Sequence, residues 1–147
     1  MSRRRPELLA PAGDRDSLQA ALASGADAVY LGLDEGFNAR ARASNFPLET
    51  LPETVATIHR AGARAYLTMN TLVFESELPL LERVLRQVAE AGIDALIVQD
   101  PAVMLLAREI CPQLELHAST QMTLSSAEGM RFARTLGVVR AVLPREL

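Results

Sequence analysis

Side chains able to hold or activate a ligand fall in five clusters along the chain. Asn38, Arg40, Arg42 and Asn45 share one polar stretch, followed by Thr68 with Asn70, and Gln99 with Asp100. His117, Ser119, Thr120 and Gln121 form the fourth cluster, and Arg145 with Glu146 the last. Two arginines at alternate positions, flanked by amides, suit a carboxylate or phosphate, because each guanidinium can offer two parallel N–H donors. Each cluster also has an ordinary explanation. Asn70 and Asp100 are good turn and capping residues, and Asp100-Pro101 reads as a helix start with proline at the first helical position. A histidine ending an apolar strand, as His117 does, is often satisfied inside a core. Ser125 or Ser126 can cap the helix that follows, which leaves Ser119 and Thr120 unclaimed by a cap. His59, beside Arg60 in a helix, reads as a solvated or interface residue.

Several chemistries find no motif. There is no Gly-x-Ser-x-Gly elbow for a serine nucleophile and no His-Glu-x-x-His helix for zinc. All 15 basic residues are arginine, so no lysine is present to form a Schiff base or act as a general base. The single cysteine, Cys111, can build neither a disulfide framework nor a cysteine metal site alone, and its place before Pro112 at a helix end suggests a buried structural thiol.

The elements that must position these residues alternate between short apolar runs and amphipathic stretches. Strands are expected at 8–10, 28–31, 65–67, 95–98, 114–117 and 141–143. Helices are expected at 14–24, 51–61, 77–91, 102–110 and 126–136, the first capped by Asp14. Four junctions share one pattern of helix, glycine, two or three linking residues and an apolar run, starting at Gly25, Gly62, Gly92 and Gly137. Glycine accepts the left-handed conformation that ends a helix. The runs show no apolar–polar alternation, as in strands covered on both faces. Strand–helix alternation implies a parallel sheet with right-handed crossovers. We therefore expect a single α/β domain over 1–147, a parallel (β/α) barrel of TIM type that is incomplete, since a closed one has eight such units in about 250 residues. A doubly wound open sheet is the rival, but Pro11-Ala12-Gly13-Asp14 is a poor match to its glycine-rich phosphate loop. In such a barrel the ligand lies at the C-terminal ends of the strands, where all five polar clusters fall.

Composition sets outer bounds. With 49% hydrophobic and 22% charged residues the chain is that of a globular protein. A net charge of −3 provides no general footprint for nucleic acid. The arginine-rich start runs straight into Pro6-Glu7 with no apolar segment of signal-peptide length, and no stretch approaches a membrane span, so a cytoplasmic location is expected and no membrane partner.

Six runs, in order, carry a family resemblance. They are Glu7-Leu-Leu-Ala-Pro-Ala-Gly13, Gly25-Ala-Asp-Ala-Val-Tyr-Leu-Gly32, Phe37-Asn-Ala-Arg-Ala-Arg42, Asp94-Ala-Leu-Ile-Val-Gln-Asp100, His117-Ala-Ser-Thr-Gln121 and Leu143-Pro-Arg-Glu-Leu147. Together they resemble the opening portion of the peptidase U32 family. That resemblance implies either a collagenase-like peptidase or an oxygen-independent hydroxylation protein acting on transfer RNA, ribosomal RNA or ubiquinone precursors, some with prephenate as oxygen source. The run from Phe37 looks most like the members linked to ribosomal RNA cytidine hydroxylation. Several members hold an iron–sulfur cluster on four cysteines, generally beyond the Arg-Glu-Leu motif, so no cluster is expected in this chain, although one is possible in a full-length protein. The implied partners are RNA or a small carboxylate. An isolated front portion is expected to be inactive alone, as a truncated product, and to self-associate through the open barrel edges.

Overall fold

The computed structural model describes residues 5–40 and 44–147. The chain alternates β1 (Leu9–Pro11), α1 (Arg15–Ala23), β2 (Ala28–Leu31), α2 (Leu51–Arg60), β3 (Arg64–Met69) and α3 (Leu78–Glu90). It continues through β4 (Ala95–Val98), α4 (Pro101–Ile110), β5 (Glu115–Ala118), α5 (Ala127–Thr135) and β6 (Val138–Ala141). Every strand pairs in parallel with the next, in the sheet order β1-β2-β3-β4-β5-β6.

The two faces of this sheet differ. Val29, Leu31, Leu67, Leu96, Val98 and Leu116 pack outward into one apolar core with Leu18 of α1, Val55 and Ile58 of α2, Leu85 and Val88 of α3, Met104 of α4 and Ala133 of α5. The opposite face groups Ala28, Tyr66, Ala95 and Ile97 with Leu9 and Tyr30, all of them strand residues. Helices on one side only, with strictly sequential strands, are the progression of a TIM-type barrel; a doubly wound sheet would carry helices on both sides and reverse its strand order. Full burial of a leucine or valine side chain contributes about 1.5–3 kcal/mol, so the outer core is what holds the helices to the sheet. Among the described residues, no helix is long and apolar enough to cross a membrane.

Local signals explain most boundaries. Asp14 caps α1 through a reciprocal capping box with Ser17, and Ser126 caps α5 by accepting from Gly129 N–H at 3.1 Å. Four strands depart from expectation: β1 is shifted by one residue, β3 is longer at both ends, and β5 and β6 are displaced. Gly137, at φ 96°, ends α5 and delivers Val138 into the sheet at once, so β6 lies three residues earlier than the 141–143 read from the apolar run. β5 runs one residue further than expected, which leaves His117 inside the strand. The strands also do alternate on the inner face, where Arg64, Glu115 and Arg140 stand among apolar neighbours.

The linking residues between helix and strand have a specific task. Asp27 Oδ2 accepts the Leu8 N–H at 2.7 Å, and Asp94 Oδ2 accepts the Ala65 N–H at the same distance, so each carboxylate ties down the start of the preceding strand. His59 Nε2 also meets Asp94 Oδ2 at 2.8 Å, which gives that side chain a structural partner. Replacing Asp94 with alanine leaves the buried Ala65 N–H without an acceptor and should cost about 1–3 kcal/mol, read as a lowered urea midpoint with an unchanged slope.

Candidate functional site

The strand order brings the C-terminal ends of β1, β2, β3 and β5 around one cleft of about 380 Å3. Its polar lining comprises Asn38, Arg40, Ser44 and Asn45 from the loop after β2, Thr68 and Asn70 at the end of β3, and Ser119, Thr120 and Gln121 after β5. Its apolar wall includes Leu9, Tyr30, Ile97 and Val142. Arg40 is the charged residue of that lining; among the described residues no aspartate or glutamate faces it.

The loop after β2 is locked at its ends. Leu33 bridges Phe46 in parallel, with Phe46 N–H donating to Gly32 O at 2.9 Å and Asp34 N–H to Phe46 O at 3.1 Å. Inside the loop the backbone passes through the left-handed region twice, at Gly36 (φ 101°) and at Phe37 (φ 61°). Such a conformation costs a non-glycine residue about 1–3 kcal/mol, offset here by burial of the Phe37 ring. The turn directs Asn38 inward, where Nδ2 donates to Leu33 O at 2.8 Å and Oδ1 accepts from Arg40 N–H at 2.9 Å. A Cβ at residue 32 would stand 2.7 Å from Asn45 Oδ1 and 3.0 Å from Asn38 Cγ, so Gly32 is what lets the two amides close over the strand end.

Asn70 joins this loop to the far side of the cleft. Its Oδ1 accepts from Ala39 N–H at 3.0 Å, and its Nδ2 donates to Ser119 Oγ at 3.1 Å. Ser119 Oγ also accepts from Gln121 N–H at 3.2 Å, so this serine does cap the short turn Thr120–Met122, a role the sequence left unassigned.

Thus Asn38, Arg40, Asn70, Ser119 and Gln121 come together, while Gln99, Asp100, His117, Arg145 and Glu146 do not line the cleft. Asp100 has both oxygens engaged, accepting from Ala102 N–H at 2.8 Å as the α4 cap and from Val73 N–H at 2.9 Å in the loop after β3. Arg145 and Glu146 are exposed in the turn beyond β6 and do not line the cleft. Arg42 lies outside the described residues. His117 sits one inward position below Ser119, fully buried. Its Nε2 meets Glu115 Oε2 at 3.1 Å, and its ring stands edge-on to Tyr66 with centroids 4.9 Å apart.

That histidine belongs to a second polar group, at the N-terminal end of the inner face. Glu7 pairs with Arg140 and accepts from the Tyr66 hydroxyl at 3.1 Å, while Arg64 pairs with Glu115 at 3.0 Å. The guanidiniums of Arg64 and Arg140 stand 5.3 and 5.8 Å from the Tyr66 ring centre. This group escaped the sequence reading. Its signal was the inward period of two in Arg64-Ala-Tyr66 and Glu115-Leu-His117, visible once strand limits are known.

Comparison with known proteins decides the family. The model of Peptidase family U32 matches residues 13–147. The chain belongs to peptidase family U32. It is 42% identical over all 147 residues to a 23S rRNA 5-hydroxycytidine synthase of Escherichia coli, covering 22% of that protein. It is 43% identical over 143 residues to a collagenase of Porphyromonas gingivalis, with 96% of the chain and 33% of that protein covered. It is 37% identical over 143 residues, 97% of its length, to a tRNA hydroxylation protein of Bacillus subtilis, of which it covers 34%. The chain therefore spans between about a fifth and a third of these relatives. Among solved structures, a U32 peptidase superposes with a TM-score of 0.78 at 16% identity, covering 97% of this chain and 60% of that one. A deoxyribose phosphate aldolase from Aeropyrum pernix follows at 0.67 and 15% identity, covering 92% and 62%. Both likenesses are of fold.

Among the described residues no three His, Cys, Asp or Glu side chains are grouped to hold a metal, and Cys111 is buried at the C-terminal end of α4.

The inner ion group makes stability pH-dependent. Burial holds the His117 imidazole below its usual range, outweighing the upward pull of Glu115. For Glu7, burial alone would raise the carboxyl, but Arg140 and Tyr66 bring it below its ordinary value; for Glu115, Arg64 and His117 do the same. All three groups bind protons more readily in the unfolded chain, so acid favours unfolding. Stability is complete above the free histidine value of about 6.5, then falls, first through His117 and below about 4.3 through the two glutamates. A melting temperature that drops from pH 7 to pH 5, with the drop reduced in His117→Gln, is the expected result; a flat or rising profile would refute it.

Proposed function

We propose that this chain forms the substrate-holding front portion of the barrel in a cytoplasmic RNA-modifying U32 protein of the oxygen-independent hydroxylation kind. The observation that carries this reading is the chemistry of the cleft. Its described lining offers amides, hydroxyls and the Arg40 guanidinium, a set that binds polar and anionic oxygens. The collagenase-named relative supports a peptidase alternative, but the described cleft contains no paired nucleophile and base. Ser119 Oγ is held by Asn70 and Gln121, while the His117 imidazole is turned to Glu115 beneath the cleft. On this reading Arg40 contacts a phosphate or carboxylate of the substrate, Arg42 assists it from the same loop, and any iron–sulfur cluster is held by cysteines outside this stretch.

The test is made in a host lacking the full-length gene that carries this segment. Mass spectrometry of nucleosides from ribosomal and transfer RNA should show a hydroxylated nucleoside disappear on deletion and return with the intact gene. Arg40→Ala should lower its restoration, since losing a charge-assisted hydrogen bond of about 1.5–3 kcal/mol corresponds to roughly ten- to a hundred-fold in binding. Unchanged nucleosides after deletion, together with cleavage of gelatin by the purified protein, would replace this reading with the peptidase one.

We further infer that the 147-residue chain self-associates when isolated. β1 and β6 each have one strand neighbour in the described sheet, and Leu8, Val139 and Leu143 beside them are 49%, 69% and 51% exposed. Unpaired edges and uncovered apolar side chains are templates for association. Light scattering should report a mass above that of the monomer, whereas a monodisperse monomer with a cooperative melt would overturn the inference.

A further inference from the structure

The direction of one proton in the cleft follows from hydrogen bonds whose polarity cannot be reversed. A backbone N–H only donates. Ala39 N–H stands 3.0 Å from Asn70 Oδ1, which identifies the other end of that amide, Nδ2, as the group 3.1 Å from Ser119 Oγ. Nδ2 also only donates. Gln121 N–H, another obligate donor, is 3.2 Å from the same oxygen. A serine hydroxyl has two acceptor lone pairs and one proton. Both lone pairs of Ser119 are thereby engaged, and its remaining capacity is as a donor.

Ser119 is 3% exposed, so that proton has no route to open solvent except through the cleft it lines. No described residue accepts it. Arg40, which lines the same cleft from the loop after β2, is likewise a donor, and no described carboxylate pairs with it. The cleft thus has Ser119 and Arg40 as donors in its lining. A neutral hydroxyl can accept from such donors, but a charged oxygen accepts more strongly. An oxygen that only accepts, and carries negative charge, matches it.

We propose that Ser119 is a specificity-determining hydrogen-bond donor that, with Arg40, selects an anionic oxygen of a carboxylate or phosphate, and that Asn70 is the positioning residue holding the Ser119 proton toward the cleft. The proposal deepens the substrate-holding role given to this cleft above.

Calorimetric titration of the purified protein with inorganic phosphate, cytidine 5′-monophosphate, succinate and neutral cytidine tests it directly. Phosphate or succinate binding by the unaltered protein is expected, and which of them binds distinguishes a phosphate from a carboxylate source. Ser119→Ala should weaken the bound anion roughly ten- to a hundred-fold, the range for a hydrogen bond to a charged group. Ser119→Thr, which keeps the hydroxyl, should restore most of that affinity. Asn70→Asp still accepts from Ala39 but can no longer donate, so Ser119 turns its proton to the new carboxylate and anion affinity should fall at least as far. Circular dichroism melts of all three variants separate lost binding from lost folding; should Ser119→Ala not fold, the contrast between Asn70→Asp and Ser119→Thr carries the test. Equal anion affinity in Ser119→Ala and the unaltered protein would overturn the proposal. So would preference for neutral cytidine over every anion, or no anion binding at millimolar concentration. Anion binding with these variant effects, but without any change in RNA nucleosides on gene deletion, would remove the RNA reading and leave the Ser119 assignment standing.

Discussion

Each parallel strand in this fold must be reached by a crossover, and each crossover helix lands on the same face of the sheet. That constraint divides the chain's chemistry in two. The outer face meets α1 through α5 and must be apolar, which accounts for Val29, Leu67, Leu96, Val98 and Leu116. The inner face meets no described helix, and strand side chains, joined by Glu7 from the segment before β1, fill it. Small residues such as Ala28 and Ala95 leave room there for Tyr66 and His117, whose edge-on packing occupies the centre. The one-sided crossover is thus the source both of the core and of the inner face that carries the cleft.

Along that inner face, height decides role. Near the N-terminal ends of the strands, Glu7, Arg64, Glu115 and Arg140 neutralise one another around Tyr66 and His117. The Glu7–Arg140 pair joins the segment before β1 to β6, residues 133 apart in sequence, and so links the two outermost strands from inside. Two inward positions higher the charges give way to amides and hydroxyls. Strand residues rise about 3.3 Å each, so His117 and Ser119, both inward, are separated by roughly 7 Å, enough to put one in the ion group and the other in the cleft.

The family contains proteins named for RNA hydroxylation and for collagen degradation, and similarity of sequence does not separate them for this chain. The side chains provide the better argument. Hydrolysis by serine needs a base in reach of the hydroxyl, and the histidine that stands two residues from Ser119 is committed elsewhere. A pocket whose described lining includes Arg40 is suited to recognising oxygens of a nucleotide or a small acid, and Asn70 ties the loop after β2 to the end of β5. The strained backbone at Phe37 belongs to the same economy of position, since it delivers Asn38 and Arg40 to the rim.

Much of the fold was legible because its signals are local. Asp14 caps α1, Ser126 caps α5, β4 occupies the run 95–98, and the glycines at 25, 62, 92 and 137 all end helices with positive φ. The alternation of strand and helix, and hence the parallel sheet, follows from periodicity within short windows. Membership of the cleft was legible in part, because residues after parallel strands share one end of a barrel whatever their separation. Which of them point into it was not. Asp100 turned out to be held twice by backbone N–H groups, one of them 27 residues away, and the Asn70–Ser119 contact spans 49 residues. Strand limits shifted by one to three residues moved His117 down the strand and Arg140 into the sheet. The amino-acid sequence by itself determined the order of elements and the end of the barrel where function gathers, since propensity, capping and burial period act over a few residues. Only the tertiary structure decided which polar groups satisfy one another and which remain for a ligand, because hydrogen-bond partners are chosen by distances that the sheet register sets.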